Sequence, residues 1–150
     1  MNKKVFFFTR SGNSKRIAEK IADKTGAELV EIKDNMNWKG IWGFIKGGFY
    51  AVRNKTVEIT YDSIVSSEDI CVLVSPVWGG VVTPSASAFL KKVDASRVVL
   101  VVNSGGEGYE KALLKAEEKH GKFFGKAGLI GKSRNEDSVI QEITNLVRND

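Results

Sequence analysis

Hydrophobic and polar positions follow two spacings along this chain, and the two spacings alternate. Short, nearly continuous apolar runs are typical of strands covered on both faces, whereas apolar residues three and four positions apart are typical of helices with one buried face. The order is strand 5–8, helix from 15, strand 28–32, a strand that runs into a loop over 69–80, helix 83–93, strand 97–102, helix 109–121, strand 126–131 and helix 137–150. This alternation predicts a doubly wound α/β fold, in which helices cover both faces of a parallel sheet and the crossovers are right-handed.

Turn and capping residues support several of these boundaries. Gly26 is placed to end the first helix, because glycine readily adopts the left-handed conformation that closes many helices. Thr83 is a candidate N-cap, followed by Pro84 at the first helical position. In the helix at 83–93, the residues predicted to face inward are Phe89, Leu90 and Val93. In the last helix they are Val139, Ile140, Ile143, Leu146 and Val147.

The segment Asn37–Lys55 combines aromatic, basic and small residues at helical spacing. Its three stripes are Trp38, Trp42, Ile45, Phe49 and Val52; Lys39, Lys46 and Arg53; and Gly40, Gly43 and Gly47. Glycine allows close backbone approach but costs about 1 kcal/mol relative to alanine in a helix. Two interpretations stay open: a crossover helix with a solvated basic face, or a mobile, basic and aromatic surface for an acidic partner or a membrane.

Length and composition narrow the class of protein. A chain of 150 residues can bury its own core, so we predict a single domain over residues 1–150. No apolar run approaches the roughly 20 residues that span a bilayer, and the four apolar residues after Lys4 are too few for a secretory signal. We therefore expect a cytoplasmic protein. The single cysteine, Cys71, lies within a buried-strand pattern and is expected to be a small core residue.

Charge and histidine content exclude further functions. The chain has 23 lysine and arginine residues and 18 acidic residues, which gives a net charge of +5. A positive charge of this size either serves to bind an anionic partner or only keeps the protein in solution. There is no block of five basic residues and no zinc-ligand spacing, so we expect no nucleic-acid binding and no metal. His120 is the only histidine, which argues against a histidine metal cluster and against Ser-His or Cys-His catalysis.

Three predicted strands end in loops that are rich in glycine, hydroxyl and amide groups: TRSGNS (9–14), SPVWGG (75–80) and NSGGEGY (103–109). In a doubly wound sheet, ligands bind outside the carboxyl ends of the strands where the strand order reverses. Hydroxyl groups and the free N–H groups of a helix start favour a phosphate at the first loop, although Ser11 or Asn13 is equally suited to an ordinary N-cap. Trp78 is either a stacking surface for a flat ligand or a core residue that covers the sheet edge.

These loops resemble those of the flavodoxin family. TRSGNS resembles the flavodoxin phosphate loop, whose pattern is Thr or Ser, any residue, Thr or Ser, Gly, Asn, Thr or Ser, and every constrained position matches. SPVWGGVVTPSASAFL resembles the second flavin loop with its helix, and GYEKALLKAEEK is similar to the helix after the third loop. The resemblance implies a short-chain flavodoxin with a five-stranded parallel sheet of order 2-1-3-4-5 and non-covalently bound FMN.

The resemblance also implies flavin-binding roles in all three loops. Side chains and amides of the first loop, including the main-chain amide of Arg10, would hold the phosphate, and Trp78 and Tyr109 would flank the isoalloxazine ring. The complete implied set is Thr9, Arg10, Ser11, Gly12, Asn13, Ser14, Ser75, Pro76, Val77, Trp78, Gly79, Gly80, Asn103, Ser104, Gly105, Gly106 and Tyr109. In the family, the peptide after the loop aromatic flips on flavin reduction, and Gly79 followed by Gly80 would keep that flip low in energy.

The chain departs from the family in its charge. Flavodoxins crowd carboxylates around the flavin, whereas this chain is basic and has Gly80 and Gly106 where acidic residues are common. Carboxylates repel a reduced flavin anion, so fewer of them should make the hydroquinone couple less negative than in acidic members. Pro76 stands where a hydroxyl residue is common, which leaves Ser75 as the substitute for a phosphate contact.

Two functions remain open at this point. The first is a low-potential electron carrier, expected to be a monomer, that meets acidic redox proteins through Lys39, Lys46 and Arg53. The second is an FMN-dependent NAD(P)H oxidoreductase of the quinone or flavin reductase type, for which no nicotinamide site is evident. A receiver domain is excluded because Phe8–Thr9 and Ser75–Pro76 stand where acidic residues are required, and a cysteine phosphatase is excluded because Val77 lies where its arginine would be.

Overall fold

A computed structural model describes residues 2–131 and 135–150. Its five main strands are β1 (Lys3–Phe7), β2 (Glu28–Glu31), β3 (Ile70–Trp78), β4 (Val98–Ser104) and β5 (Gly125–Ile130). Neighbouring main strands pair in parallel, and their order across the sheet is β2-β1-β3-β4-β5. The predicted doubly wound sheet of order 2-1-3-4-5 is confirmed.

Helices cover both faces of this sheet. They are α1 (Asn13–Thr25), α2 (Gly40–Val52), α3 (Pro84–Leu90), α4 (Tyr109–His120) and α5 (Glu136–Arg148), with one 3-10 turn at Ala95–Arg97. On one face, Ile17 of α1 and Ile140 of α5 pack with Val5 in one core cluster. On the other face, Phe89 of α3 and Leu113 of α4 pack in a second cluster around the central strands.

Two predicted helix boundaries, the end of α1 and the start of α3, agree with the structure. Gly26 closes α1 with φ 70°, and its N–H donates to Ala22 O at 2.8 Å. Thr83 Oγ1 accepts the N–H of Ala86 at 3.3 Å, as expected of an N-cap followed by Pro84. Helix α3 ends at Leu90, three residues earlier than the pattern indicates.

The inward face of α5 is as predicted except at one position. Ile140, Ile143 and Val147 are buried and Val139 is half-buried, but Leu146 is 38 % exposed. The Leu146 side chain lies over Gly125, where a Cβ atom would be 2.3 Å from Leu146 Cδ2. Leu146 therefore covers the edge strand at the margin of the core.

Two short antiparallel ladders were not predicted. Lys33–Asp34 pairs with Ile59–Thr60, and Val81–Val82 folds back on the end of β3. The second ladder turns through Gly79 and Gly80, whose φ angles of 60° and 79° are those of a two-residue hairpin turn with left-handed central residues. Strands of two residues carry too little alternation to be read from sequence.

Helix α2 lies within segment 37–55, which agrees with the helical interpretation of that segment. The sequence did not indicate which stripe faces the sheet, and in the structure the aromatic Trp42 is 79 % exposed. The glycine stripe faces inward: a Cβ on Gly43 would lie 2.1 Å from the main-chain carbon of Trp38, and a Cβ on Gly47 would lie 2.9 Å from the Trp78 ring. Close backbone approach therefore decides which face is buried.

Asp69 is a buried carboxylate at the amino-terminal edge of the sheet. Its oxygens accept the N–H groups of Ser66 at 2.9 Å and Asn2 at 3.0 Å, and Lys4 Nζ lies 3.7 Å away. The main-chain hydrogen bond from Ser66, supported by that from Asn2 and by the Lys4 charge, lowers the pKa of Asp69 to about 2 against the opposing effect of burial.

Acid should remove this stabilisation. The folded pKa of about 2 is below the ordinary value of 3.8, so ionised Asp69 stabilises the fold above about pH 4, and the contribution disappears as the pH falls through about 2. Urea unfolding of the wild type and Asp69→Asn from about pH 6 to about pH 2 should show a difference of about 2 kcal/mol that vanishes at the acid end. A difference that stays constant with pH would contradict this role.

Candidate functional site

The three predicted loops meet at the carboxyl edge of the sheet. β1, β3 and β4 are neighbours, with Phe7 paired to Val74 and Pro76 paired to Asn103. The strand order reverses between β1 and β3, which is where open α/β sheets bind ligands. We call residues 9–14 the first loop, Val77–Val82 the hairpin and residues 103–109 the third loop.

The first loop presents a helix start without a side-chain cap. Gly12 occupies the N-cap position with φ 95°, and its N–H donates to Thr9 Oγ1 at 2.9 Å. Neither Ser11 nor Asn13 caps α1, so the ordinary N-cap interpretation of these two residues is wrong. The first N–H groups of a helix have no intrahelical acceptor, and the helix dipole adds partial positive charge there. This end of α1 is suited to an anion.

Ser14 adds a buried donor that lacks a partner. Its side chain is 1 % exposed, and its Oγ makes no hydrogen bond within the described residues. An unsatisfied buried hydroxyl costs about 1–3 kcal/mol. Such groups are rare in folded proteins and point to a ligand that supplies the missing partner.

Arg16, which the sequence did not single out, supports the same loop. Its Nη1 donates to Asn13 Oδ1 at 2.6 Å, and its Nη2 donates to Glu136 Oε1 at 2.5 Å. Hydrogen bonds from Arg16 first, and then Lys20, hold the pKa of Glu136 below its ordinary value despite burial. Arg16 thus links the Asn13 side chain to Glu136 of α5. In the sequence, the only indication of this role is that Arg16 lies three residues after Asn13 in a helix.

The Arg10 side chain points away from the helix start. Its Nε donates to Trp38 O at 2.8 Å, and its Nη2 donates to Gly40 O at 3.0 Å. These bonds tie the first loop to the beginning of α2. The role predicted for Arg10 at the ligand is that of its main-chain amide, which these side-chain bonds leave unchanged.

Trp78 lies at the end of β3 and not in a free loop, and its role as a stacking surface for a flat ligand stays a prediction. It ends β3, is half-buried and pairs with Val81 across the hairpin. Its ring makes edge-to-face contacts with Phe8 and Trp38, with ring centroids 5.5 and 5.3 Å apart. The glycine turn extends the ladder by two residues and so places Trp78 in an aromatic cluster with Phe8 and Trp38.

The Ser75 hydroxyl is used within the protein. Ser75 is fully buried; its Oγ donates to Pro76 O at 2.9 Å and lies 3.2 Å from Thr83 Oγ1. The main-chain N–H of Thr83 also donates to it at 3.3 Å. These bonds connect β3 to the start of α3, so the Ser75 side chain is not left for the phosphate contact expected of it. Pro76 and Val77 are half-buried beside it.

The third loop combines open backbone with a second unsatisfied buried group. Asn103 is 7 % exposed, and its Oδ1 makes no hydrogen bond within the described residues. Ser104 Oγ accepts the N–H of Gly106 at 3.3 Å. A Cβ atom added at Gly105 or Gly106 would meet no atom within 4 Å, so the backbone of both residues is accessible to a ligand.

Tyr109 begins α4 and packs toward β5. A Cβ on Gly128 would lie 1.8 Å from Tyr109 Cδ2, so the ring rests directly on the backbone of that strand. The ring is half-buried. Its predicted role as the second wall of a flat ligand remains a prediction.

The electrostatic environment of the three loops favours an anion. Glu107 is the only acidic residue in segments 9–14, 75–80 and 103–109. The Lys111 side chain lies beside the hairpin turn, with its Cδ 3.9 Å from the Cβ position of Gly80. A negatively charged ligand therefore meets little repulsion here.

Cys71 lies outside this site and is chemically quiet. Burial first, and then the charge of Asp69, raises the pKa of its thiol to about 11, so the thiol stays protonated at neutral pH. This agrees with the small core residue predicted at this position.

Among residues 2–131 and 135–150, no helix has both the length and the apolarity needed to cross a bilayer.

Comparison with known proteins gives a match at the level of structure. No protein-family model and no curated protein matches the sequence. The flavoprotein from Lactobacillus acidophilus NCFM, solved in complex with FMN, is 20 % identical with a TM-score of 0.71 over 92 % of this chain and 97 % of that one. The flavodoxin, WrbA-like protein from Agrobacterium tumefaciens is 13 % identical with a TM-score of 0.62 over 99 % and 95 % of the two chains.

A third solved structure, oxidised Flavodoxin 2 from Bacillus cereus, is 13 % identical with a TM-score of 0.56 over 99 % of both chains. These likenesses extend over nearly the full length of each protein. They agree with the mostly parallel sheet and its strand order. This chain therefore has the flavodoxin-like fold.

Proposed function

We propose that this protein binds FMN at the three loops and carries electrons between redox proteins. The observation that carries the proposal is the buried, unpartnered Ser14 hydroxyl at a helix start without a side-chain cap. A phosphate monoester at this position would accept hydrogen bonds from that hydroxyl and from the first main-chain N–H groups of α1. The FMN complex of the Lactobacillus acidophilus flavoprotein, which shares this fold, supports the choice of ligand.

The residues present fit FMN. The phosphate would be held by the side chains of Thr9, Ser11, Asn13 and Ser14 and by main-chain amides of the first loop. The unpartnered Asn103 Oδ1 and the open backbone of Gly105 and Gly106 would meet the polar edge of the ring system. Trp78 and Tyr109 would supply aromatic contacts. When bound, FMN supplies reversible one- and two-electron transfer; the protein binds it, orients it and sets its electrostatic surroundings.

Two features of the hairpin turn favour glycine at position 79. Gly79 has φ 60°, and a Cβ there would lie 2.6 Å from Val52 Cγ2 of α2. The left-handed conformation and this close contact both disfavour a side chain. A glycine pair at this turn also leaves the peptide between positions 79 and 80 free to change orientation at low energy, as the resemblance implies for flavin reduction.

Binding of FMN tests the proposal directly. Protein purified with added FMN should be yellow after dialysis, quench flavin fluorescence and give a one-to-one calorimetric isotherm. Trp78→Ala should weaken FMN binding by about 1–3 kcal/mol if the aromatic contact and its burial are lost. The absence of FMN uptake by correctly folded protein would overturn the proposal.

A second candidate function follows from a basic cavity beside the hairpin. A cavity of about 180 Å³ lies between α2, α3 and α4 and is bordered by Val81 and Val82. Its polar lining residues are Asn54, Lys55, Ser87, Lys115, Lys119 and His120. Lys119 Nζ donates to Ser87 Oγ at 2.8 Å and also contacts Asn54 Oδ1. Burial, followed by the charges of Lys119 and Lys91, lowers the pKa of His120 to about 4.

Such a cavity suits the phosphates of a nicotinamide nucleotide and so favours an FMN-dependent NAD(P)H oxidoreductase as the alternative. Steady-state oxidation of NADPH and NADH by FMN-loaded protein separates the two functions. A carrier should turn over slowly with both nucleotides. A reductase should turn over rapidly, and Lys115→Gln should raise its KM for the nucleotide without changing FMN affinity.

The charge near the hairpin should set the potential of the last reduction step. Lys111→Gln removes a cation beside Gly80. This change should make the hydroquinone couple more negative by roughly 20 mV, or about 0.5 kcal/mol, as expected of a solvent-screened charge near the flavin. Redox titration measures this, and Lys122→Gln, at the opposite edge of the sheet just before β5, is the control. An equal shift in both variants, or no shift in either, would refute the local effect.

A further inference from the structure

Helix α2 directs most of its large side chains into solvent. Of the large hydrophobic residues that are exposed in the described part of the chain, six of eleven lie on this one helix. They are Ile41, Trp42, Phe44, Ile45, Phe49 and Val52, which are 47–79 % exposed. Contiguous exposed apolar patches of more than a few hundred Å² mark interaction sites in proteins. We call these six residues the α2 stripe.

The packing of α2 fixes this orientation. Its buried face consists of Gly43, Gly47 and Ala51, and the two glycines lie close to Trp38 and Trp78. Large side chains do not fit on that face, because Gly43 already approaches the Trp38 backbone. Arg10 adds hydrogen bonds to the segment that begins the helix. The α2 stripe is therefore held outward by the fold itself.

Cations line the margins of the stripe. Arg10 lies 5.7 Å from the Phe44 ring centroid, while Arg53 and Lys55 each lie 5.3 Å from that of Phe49. Lys46 lies 5.5 Å from the Trp38 ring centroid. From residue 35 to residue 57 the chain contains no aspartate or glutamate. The stripe is thus apolar along its centre and has cations at its margins, and residues 35–57 contribute no negative charge to it.

This charge pattern indicates which kind of partner binds the α2 stripe. A second copy of the chain would bring the two positive rims together, which like-charge repulsion disfavours. A protein partner would be expected to form about one hydrogen bond per 100–200 Å² of interface, whereas the Trp42 indole is the only hydrogen-bonding side chain in the stripe. An anionic lipid surface requires apolar insertion and basic anchors and no other hydrogen bonds.

We propose that α2 docks this protein onto anionic membrane surfaces, with the stripe inserted at the boundary between headgroups and acyl chains. Helix α2 has 13 residues, about 20 Å of length, and would lie flat in the interface with Trp42 at the headgroup level. Lys39 lines the same surface groove as Trp42 and Phe49. Together with Lys46 and Arg53, which the sequence also offers to an acidic protein partner, it would contact lipid headgroups. This inference does not depend on FMN.

Vesicle co-sedimentation with the full chain tests it. The protein should bind mixed phosphatidylglycerol–phosphatidylcholine vesicles at least about tenfold more tightly than pure phosphatidylcholine vesicles, and high salt should weaken the binding. Trp42→Ser with Ile45→Ser should reduce binding about tenfold or more. Lys39→Gln with Arg53→Gln should reduce it and flatten its salt dependence.

Ile64→Ser is the matched control, because Ile64 is 88 % exposed at the opposite edge of the sheet, where its main-chain oxygen contacts Lys4 Nζ. This variant should bind vesicles like the wild type. Circular dichroism of each variant confirms that the fold is retained. Three results would overturn the proposal: no binding to either kind of vesicle, an equal loss of binding in Ile64→Ser, or unchanged binding in the variant with both Trp42→Ser and Ile45→Ser. An acidic protein partner would then be the better occupant.

Discussion

Replacing Ser14 with alanine should weaken FMN binding about 10- to 100-fold and leave the flavin-free protein as stable as before or more stable. The two effects have one cause. In the flavin-free protein the Ser14 hydroxyl is buried without a partner among the described residues, so its removal relieves an unsatisfied polar group. With FMN bound, the same hydroxyl would donate to a charged phosphate, and hydrogen bonds to charged groups contribute about 1.5–3 kcal/mol.

Calorimetry with FMN and urea unfolding of the flavin-free protein measure the two effects separately. Ser138→Ala, on the exposed face of α5, is the control and should change neither by more than about 0.5 kcal/mol. If Ser14 had a purely structural role, its replacement with alanine would lower the stability of the flavin-free protein. That result, or unchanged FMN affinity, would reject Ser14 as the phosphate contact.

Replacing Gly43 with alanine should destabilise the protein by about 3 kcal/mol, because the new methyl group would have to displace a main chain. The Cβ position is 2.1 Å from the Trp38 carbonyl carbon and 2.2 Å from its oxygen, and backbone gives way less easily than a flexible side chain. Overpacking of this kind costs about 1–3 kcal/mol and sometimes more. The expected structural result is release of α2 from Trp38 and Trp78.

Gly48→Ala provides a control in the same helix. No atom lies within 4 Å of its Cβ position, so alanine there should stabilise the protein by about 1 kcal/mol through helix propensity. Urea unfolding gives both values, and hydrogen exchange of the α2 amides shows whether the helix is released in the Gly43 variant. Equal stability changes for the two glycines would mean that close packing at Gly43 does not hold α2.

The same packing connects the candidate site with the α2 stripe. Arg10 belongs to the first loop and bonds to the start of α2, while Trp78 belongs to the hairpin and contacts Gly47 within α2. Release of the helix should therefore disturb two of the three loops. We expect Gly43→Ala to weaken FMN binding as well, and Gly48→Ala to leave it unchanged.

Much of the fold could be predicted from the sequence because its main signals are local. Continuous apolar runs mark buried strands, and Gly26 and Thr83 mark helix ends through conformational preferences of single residues. The short ladders at 33–34, 59–60 and 81–82 could not be predicted, since two residues carry no period. The exposure of Leu146 escapes prediction for a related reason: helical spacing gives a face but not the width of the groove that receives it.

The candidate site was only partly predictable for a different reason. Loop composition indicated which segments meet, and the parallel sheet brings their carboxyl ends together. It did not indicate which side chains are already engaged by the protein: Ser75 with Thr83, Arg10 with Trp38 O, and Trp78 with its aromatic neighbours. It also did not single out Arg16, whose role depends on Glu136, 120 residues away.

By itself, the sequence determined the order of strands and helices, the helix ends and the three loops at one edge, because each depends on residues near one another in the chain. Only the tertiary structure decided that α2 buries glycine and exposes Trp42, and that Ser14 Oγ and Asn103 Oδ1 are left without partners among the described residues. Burial and hydrogen-bond satisfaction depend on neighbours brought together by folding, and these neighbours are far apart in the sequence.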